Sequence, residues 1–532
     1  MLMVFDESSP AAAPAAHPRT YRNPILFADY SDPDVIRVGQ CYYMVASTFH
    51  FSPGIPVLKS MDLVHWTIIA HALPRLVFHK RYDLPGPISF DDSTARPPWK
   101  PTDGQGYSGG VWAPAIRYHQ GCYYIYFATP SDGIFMVSAT NAEGPWNPPV
   151  TLAAEAGFED PCPFWDDDGK AYLVHSRVGA GPLILHKMSS DGKTLLDKGT
   201  VIVQEPEKLP TLEGPKLIKR HGYYYIFAPY GGVGEGPQAV LRSKNIYGPY
   251  EWRTVLEKGN TKIQAPHQGG YVETASGEGW FVHFNQTGAY GRIVYLEPVR
   301  WNGDWPLIGE PISETSGQPV ASYPMPDSGR SCTPDWQPQT SDDFTDNKLG
   351  VQWEWNHNPV DSAWSLTERR GYLRLRALPA KNFLSARNTL TQVHQGSASE
   401  WTVKIDFDGM VDGQRAGLGL LKARPSWIGV AQTAGSRRLT FAAAGVETAG
   451  PLVKKNSALL RMAIENDTAR YFYSVDSGAT FIPLGNQTHF RFSWWKGIRP
   501  ALFSYSIADG SVPRGLADFD WVKIRQLAPK PD

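Results

Sequence analysis

Net charge is the first thing this sequence lacks. Lys and Arg (51) almost cancel Asp and Glu (52), leaving −1 on 532 residues. That balance removes the usual electrostatic case for nucleic acid or an anionic membrane as partner. Cysteine is scarce as well: Cys41, Cys122, Cys162 and Cys332 form no CxxC pair and stand beside no His-rich run, so zinc-type ligand spacing is missing. Cys41 and Cys122 fall inside aromatic strand-like segments, where a free thiol is expected to act as a small apolar core residue. The first residues, MLMVF, give way to Asp6 and Glu7, too soon for a secretory h-region or a membrane span. The expectation is a disordered Ala/Pro tail over 1–20, on a cytoplasmic enzyme or on a periplasmic or secreted one numbered from a processed form. Helical periodicity is nowhere sustained, which argues against a helical bundle.

Aromatic rings and turn formers are what the chain has instead: 18 Trp, 25 Tyr, 23 Phe, 50 Gly and 45 Pro. This is the composition of many short strands and turns. It also suits sugars, whose C–H faces stack on rings, although such rings serve equally well as plain core. A chain this long exceeds one hydrophobic core and predicts about two to four domains.

The strands repeat. RVGQCYYMVAS (37–47), RYHQGCYYIYFA (117–128), WDDDGKAYLVHS (165–176), IKRHGYYYIFAP (218–229) and ETASGEGWFVHF (273–284) each place a polar turn before an aromatic and aliphatic strand. Four of them are followed by a strand end, a turn and often Gly-Pro-aromatic, as in SATNAEGPW (138–146) and RSKNIYGPY (242–250). Five copies at intervals of about 50 residues, the first longer, match blades of four antiparallel strands. The longer interval holds a Pro/Gly-rich insertion, 95–110, expected outside the blades and able to shape access to the centre. From 307 to 340 Pro, Ser and Gly prevail and read as a linker. Beyond it, GYLRLRAL (371–378), WTVKIDFDG (401–409) and ADFDWVKI (517–524) alternate apolar and polar residues, as in a half-exposed antiparallel sandwich. The predicted fold is all-β: a five-bladed propeller over 21–306, a linker, and a jelly-roll-like sandwich over 341–530.

Three acids stand before Pro at the start of a predicted inner strand: Asp32 in YSDPDVIR, Asp160 in GFEDPCPFW and Glu213 in LEGPKL. Inner strands of a propeller face its central channel, so acids at matching positions converge there. Convergent carboxylates repel one another, and one of them holds its proton to higher pH. One ionised and one protonated carboxyl is what glycosidic cleavage requires. Acids before Pro are singly ordinary turn residues; it is the recurrence that points to a site. The neighbouring run Asp166-Asp167-Asp168 reads as a solvated turn.

These segments carry a resemblance. From RNPILFADYSDPDVIR (22–37) through ASTFHFSPGIPVLKSMDLVHW (46–66), GGVWAP (109–114) and LEGP (212–215) to GRIVYLEPVRWNGDWP (291–306) and DFDWVKI (518–524), the chain resembles glycoside hydrolase family 43, the β-xylosidase and α-L-arabinofuranosidase group built of a five-bladed propeller and a C-terminal sandwich. The resemblance implies Asp32 as general base, Glu213 as general acid and Asp160 as the residue that orients and tunes Glu213. It further implies Phe49 and Trp112 as aromatic walls of the sugar subsite, Arg292 as a ligand of the terminal sugar's hydroxyls, and Trp495, in SWWKGIRPALF (493–503), as a sandwich residue at the pocket mouth. His267 in QAPHQGG matches a histidine that in some relatives lies near a bound ion or water cluster; a structural Ca2+ there and a hydrogen-bonded core histidine both stand as readings. Where the pattern has an acid after WAP, this chain has Ala115.

The reading is an exo-acting, inverting glycoside hydrolase that releases xylose from the non-reducing end of xylo-oligosaccharides, with no cofactor required and oligomeric state left open, a homo-oligomer included. An α-L-arabinofuranosidase on hemicellulose side chains keeps the same fold and acids. A retaining fructan-cleaving enzyme lacks the VWAP and LEGP motifs. A non-catalytic sugar-binding propeller would have lost an acid, and all three are present.

Overall fold

The structure, a computed structural model, describes residues 19–84, 106–179, 181–234, 236–263, 266–329, 338–493, 495–508 and 515–527. Most of the expected tail, positions 95–105 of the insertion, and Cys332 lie outside the described residues. No described helix is long and apolar enough to cross a membrane.

Period-two aromatic segments with paired turn residues can bury one face only by stacking sheets. The first 308 residues do so as five antiparallel sheets of at least four strands. Their first strands are Ser31–Val38, Trp112–His119, Phe158–Trp165, Lys216–Arg220 and His267–Glu273, which neighbour one another in a ring around a central channel. The hairpin turns have the chemistry their strands need: Gln120-Gly121 and His221-Gly222 all take positive φ, between 46° and 82°, the twist that two-residue hairpins favour. Between blades the sheets bury Tyr43, Val57, Ile125 and Phe127 in one layer, and Cys162, Leu185, Leu217 and Ile226 in another. The ring is closed by the residues before the first blade: Leu26 bridges Val294, and the Tyr21 hydroxyl and Asn23 amide both donate to the Leu296 carbonyl.

Two sequence expectations change here. The segment expected to be a plain linker carries strands: Glu310–Pro311 and Gly317–Gln318 extend the fourth blade, and Ser322–Pro324 pairs with Thr20–Arg22. Its Pro and Ser content suits short edge strands, which need few ladder bonds. Cys41 and Cys122 start their strands and are only half-buried, whereas Cys162 is fully buried. The hairpin turns next to Cys41 and Cys122 leave them at the rim of the sheet.

The second half forms a nine-stranded and an eight-stranded sheet packed face to face. The inner faces bury Trp353, Leu373, Trp401, Val403, Leu418, Leu460 and Phe519 in one core. Ser457–Glu465 shows strict alternation of buried and half-exposed residues, as expected of a sandwich strand. The propeller lends this sandwich a strand: Phe51–Ser52, from the first blade, pairs with Trp355 and Asn356. Glu354 then binds Arg499 of the sandwich at 2.8 Å and His71 of the first blade at 3.2 Å. Among the described residues the domains are thus joined through hydrogen-bonded backbone and a buried ion pair.

Candidate active site

The first strand of each blade begins with the same distortion. A residue in the left-handed region is followed by Pro or Gly, and in four blades the ladder slips there by a bulge. The left-handed residues are Asp32, Ala113, Asp160, Gly214 and Gln268. A bulge turns two successive side chains toward the same side of the sheet, and this is how an inner strand presents two residues to the channel mouth. Aligned on this feature, Asp32 and Asp160 share one position, while Glu213 occupies the position before it, with Ser31, Trp112, Glu159 and His267. The three acids therefore do not stand at one matching position as expected: Glu213 is offset by one residue, and its counterpart in the third blade is Glu159. Gly214 takes in the fourth blade the position that Asp160 holds in the third. Its φ is +61°, and a Cβ there would lie 2.8 Å from the Gln268 side chain.

The distortions converge on a cavity of about 340 Å3 lined by Asp32, Phe49, Trp112, Asp160, Glu213, Arg292 and Trp495, together with Glu159, Gln268 and Gln286. All seven residues expected in the catalytic and sugar sites are thus brought together. Carboxyl oxygens of Glu159, Asp160 and Glu213 lie within 4.8 Å of one another; Asp32 is not a member of that cluster. Burial, then the charge of Glu213, pushes the Asp160 carboxyl up to about 7, even though Lys216 and the Gly214 N–H oppose the shift. Glu159 is raised well above the usual carboxylate range by burial and by Asp160. Like charges at this separation cannot all form in a dry site, so the cluster keeps a proton near neutral pH. Glu213 is its most exposed member, with 19% of the side chain accessible. Asp160 positions Glu213 through the backbone, its Oδ2 accepting the Gly214 N–H at 2.8 Å.

Asp32 is held from both sides. The Ser47 hydroxyl donates to its Oδ2 at 2.6 Å, and the Arg292 guanidinium donates to its Oδ1 at 2.9 Å. Arg292, expected to bind sugar hydroxyls, is thus tied first to a carboxylate, while its buried Nε has no hydrogen-bond partner. Its guanidinium also lies 5.1 Å from the Trp495 ring centroid. Phe49 and Trp112 stand 5.8 Å apart, and the Trp112 indole donates to the Ser108 carbonyl. Trp495 adopts φ +60° and leaves its buried indole N–H unpaired.

His267 is fully buried, and its Nε2 lies 2.8 Å from the Glu213 carboxylate. Its Nδ1 has no hydrogen-bond partner. Calcium takes six to eight oxygen ligands. Among the described residues the one dense group of possible ligands is Glu159, Asp160 and Glu213, without His267. His267 is hydrogen-bonded to Glu213, and a calcium ion beside it would take its remaining ligands from outside that acidic group.

One further expectation shifts. Asp166 is not a solvated turn residue: its side chain is 4% exposed, bound by Lys219 and Tyr224 on the next blade, while Asp167 and Asp168 are open to water. Ala115 is buried in the ring beneath the acids, level with Asp34, Cys162, Lys216 and Gly270. Sequence reasoning missed Ser47, Gln268, Gln286 and the Gly232-Val233-Gly234 wall; only the glycine run carried a local signal. A second cavity, about 450 Å3, opens where the same inner strands end, lined by Arg117, Lys216, Lys219 and Arg220. Its two acids are each paired with an arginine, Asp34 with Arg117 at 2.6 Å and Glu273 with Arg220 at 3.5 Å.

Comparison with known proteins agrees with this arrangement. Residues 21–306 match the model of glycosyl hydrolases family 43, and residues 341–525 match that of the β-xylosidase C-terminal concanavalin A-like domain. The chain is 42% identical over 488 residues to a putative β-xylosidase of Xylanibacter ruminicola, covering 90% of this chain and 85% of that one. It is 33% identical to a non-reducing end α-L-arabinofuranosidase of Bacteroides ovatus over 75% of this chain and 73% of the other. The structure superposes on that of a xylan β-1,4-xylosidase of Bacillus halodurans with a TM-score of 0.79 at 25% identity, covering 95% and 100% of the two chains. With the propeller, the sandwich and the acid-lined pocket in place, the chain belongs to glycosyl hydrolase family 43 and is a glycoside hydrolase.

Proposed function

We propose that this enzyme releases xylose from the non-reducing end of β-1,4-linked xylo-oligosaccharides with inversion at the anomeric carbon. The observation that carries the reading is the division of the pocket's acids. Asp32 stands outside the carboxyl cluster, its two oxygens hydrogen-bonded by Arg292 and Ser47, while Glu213 belongs to a cluster that retains a proton. In this reading Asp32 takes a proton from water as it attacks the anomeric carbon, and Glu213 protonates the departing glycosidic oxygen. Asp160 fixes the backbone at Glu213, and His267 orients its carboxylate. The cavity volume lies at the small end of the range for small-molecule sites, about 300–1,000 Å3, and Trp495, Phe49 and Trp112 wall it, which favours one terminal sugar over an internal stretch of polymer.

The likeness to the Bacteroides ovatus α-L-arabinofuranosidase supports a second reading, release of arabinofuranose by the same acids. Rates on the p-nitrophenyl β-xyloside and α-L-arabinofuranoside, measured side by side, decide between them, with faster xyloside cleavage expected. NMR of the first-formed sugar should show the anomer opposite to the substrate's. Retention would refute the role given to Asp32.

A further inference from the structure

A continuous set of hydrogen bonds leads from Asp32 into the sandwich domain. Lys496 lies in the sandwich segment beside Trp495, and its side chain is 2% exposed. Its ammonium contacts three oxygens: the Asp29 carbonyl at 3.1 Å, the Ser47 carbonyl at 3.2 Å and Asp29 Oδ2 at 3.0 Å. The Gly497 N–H donates to the same Oδ2 at 2.9 Å. On its other oxygen Asp29 accepts the Arg292 N–H at 2.9 Å and the Ser31 hydroxyl at 3.2 Å. Ser31 precedes Asp32, while Ser47 and Arg292 hold its two carboxylate oxygens. The two domains touch here backbone to backbone: a Cβ on Gly291 would lie 2.6 Å from Asp29 Cγ and 2.7 Å from Gly497 N.

We propose that Lys496 is a positioning residue for Asp32, so that the sandwich domain completes the alignment of the base as well as walling the pocket. The inference rests on the reading of Asp32 as general base. Asp32 has φ +55°, a conformation that a residue with a side chain keeps only when its surroundings impose it. Its carboxylate is held by Ser47 and Arg292, and the main chain of each is gripped by the Lys496–Asp29 pair. That pair is out of water, where loss of one partner strands the charge of the other.

The test uses the full chain and aryl β-xylosides with leaving groups of graded acidity. Lys496→Met should lower kcat about 10- to 100-fold, as a displacement of reacting groups by an ångström does, and leave KM near the parent's. The loss should be the same for good and poor leaving groups, because a better leaving group does not replace a misplaced base. Lys496→Met combined with Asp29→Asn should regain part of the lost kcat, since the stranded carboxylate is gone. A purely structural tie predicts lower thermal stability with parental kcat, and that result overturns the inference. Should Lys496→Met fail to fold, Asp29→Asn alone must lower kcat with KM kept; parental kcat in that variant overturns it equally. Asp32→Asn separates the two levels. If that variant keeps parental activity, the base assignment itself is wrong; if it is inactive while Lys496→Met turns over normally, only the positioning role falls.

Discussion

Ser47 offers the sharpest test of how the site is built. Its hydroxyl is the only bridge in the described structure that both donates to Asp32 Oδ2, at 2.6 Å, and accepts the Ala113 N–H, at 2.7 Å. Ser47→Ala removes both bonds and adds no bulk. A hydrogen bond to a charged group contributes about 1.5–3 kcal/mol. If that bond reaches full strength only in the transition state, where it aims Asp32 at the attacking water, its loss lowers kcat/KM about 10- to 150-fold at about 1.4 kcal/mol per decade. The Ala113 N–H, left buried without an acceptor, costs a further ~1–3 kcal/mol of stability, a fall of several degrees in Tm at most. Ser60→Ala is the control. Ser60 sits in the same blade, equally buried, with its hydroxyl on Asp62, so its loss should lower Tm without touching kcat/KM. Steady-state kinetics on an aryl β-xyloside and thermal melts of both variants suffice. Parental kcat/KM in Ser47→Ala would refute the idea that this hydroxyl aims Asp32.

Three more outcomes follow from the geometry. Trp495→Ala should raise KM on short oligosaccharides several-fold with Tm nearly unchanged, because the ring lines the cavity and is only half-buried; a falling Tm with intact kinetics would mean the ring serves only the interface. Glu354→Gln should destabilise by about 3–5 kcal/mol by leaving Arg499 buried without its counter-charge. Burial alone would raise the Glu354 carboxyl, but Arg499 and His71 hold it down at about 2, so its contribution is present above pH 4.5 and is lost as pH falls toward 2; denaturant melts of parent and variant should converge there. Asp160→Asn should gain stability relative to the parent as pH rises from about 4 to about 7. The parent's Asp160 carboxyl is protonated when folded up to about 7 but ionises from 3.8 when unfolded, so the unfolded state binds fewer protons in that window and the parent loses stability across it. A constant difference between the two melts from pH 4 to 7 would contradict this.

Part of the site could be read locally. An acid before Pro at a strand start, Asp32 or Asp160, is a short-range pattern, and so is the Gly-Pro pair after Glu213. The offset of Glu213 by one residue shows only when backbones are aligned in place of acids: Pro33, Pro161 and Pro215 set the alignment, with Glu213 two places before its Pro. The segment around Lys496 reads as exposed aromatic and basic residues, yet Lys496 and Arg499 are both 2% exposed in their side chains. No local signal distinguishes a surface lysine from one that meets a buried carboxylate 467 residues away.

What the sequence determined by itself is whatever depends on neighbours in the chain. The alternation of aromatic strands with Gly-bearing turns specifies four-stranded blades, because a strand with one apolar face and a two-residue turn has few other ways to bury that face. The absence of charge excess and of metal-type spacing likewise needs no coordinates. What only the tertiary structure decided is which charges end up paired. Arg292 meets Asp32 across 260 residues, His267 meets Glu213 across 54, and Lys496 grips Asp29 and Ser47 from the other domain. The elevated proton affinity of Asp160 comes from burial and from carboxyls on other blades. Such effects fall off over a few ångströms in space and bear no relation to distance along the chain, so they exist only once the ring of blades has closed and the sandwich has docked upon it.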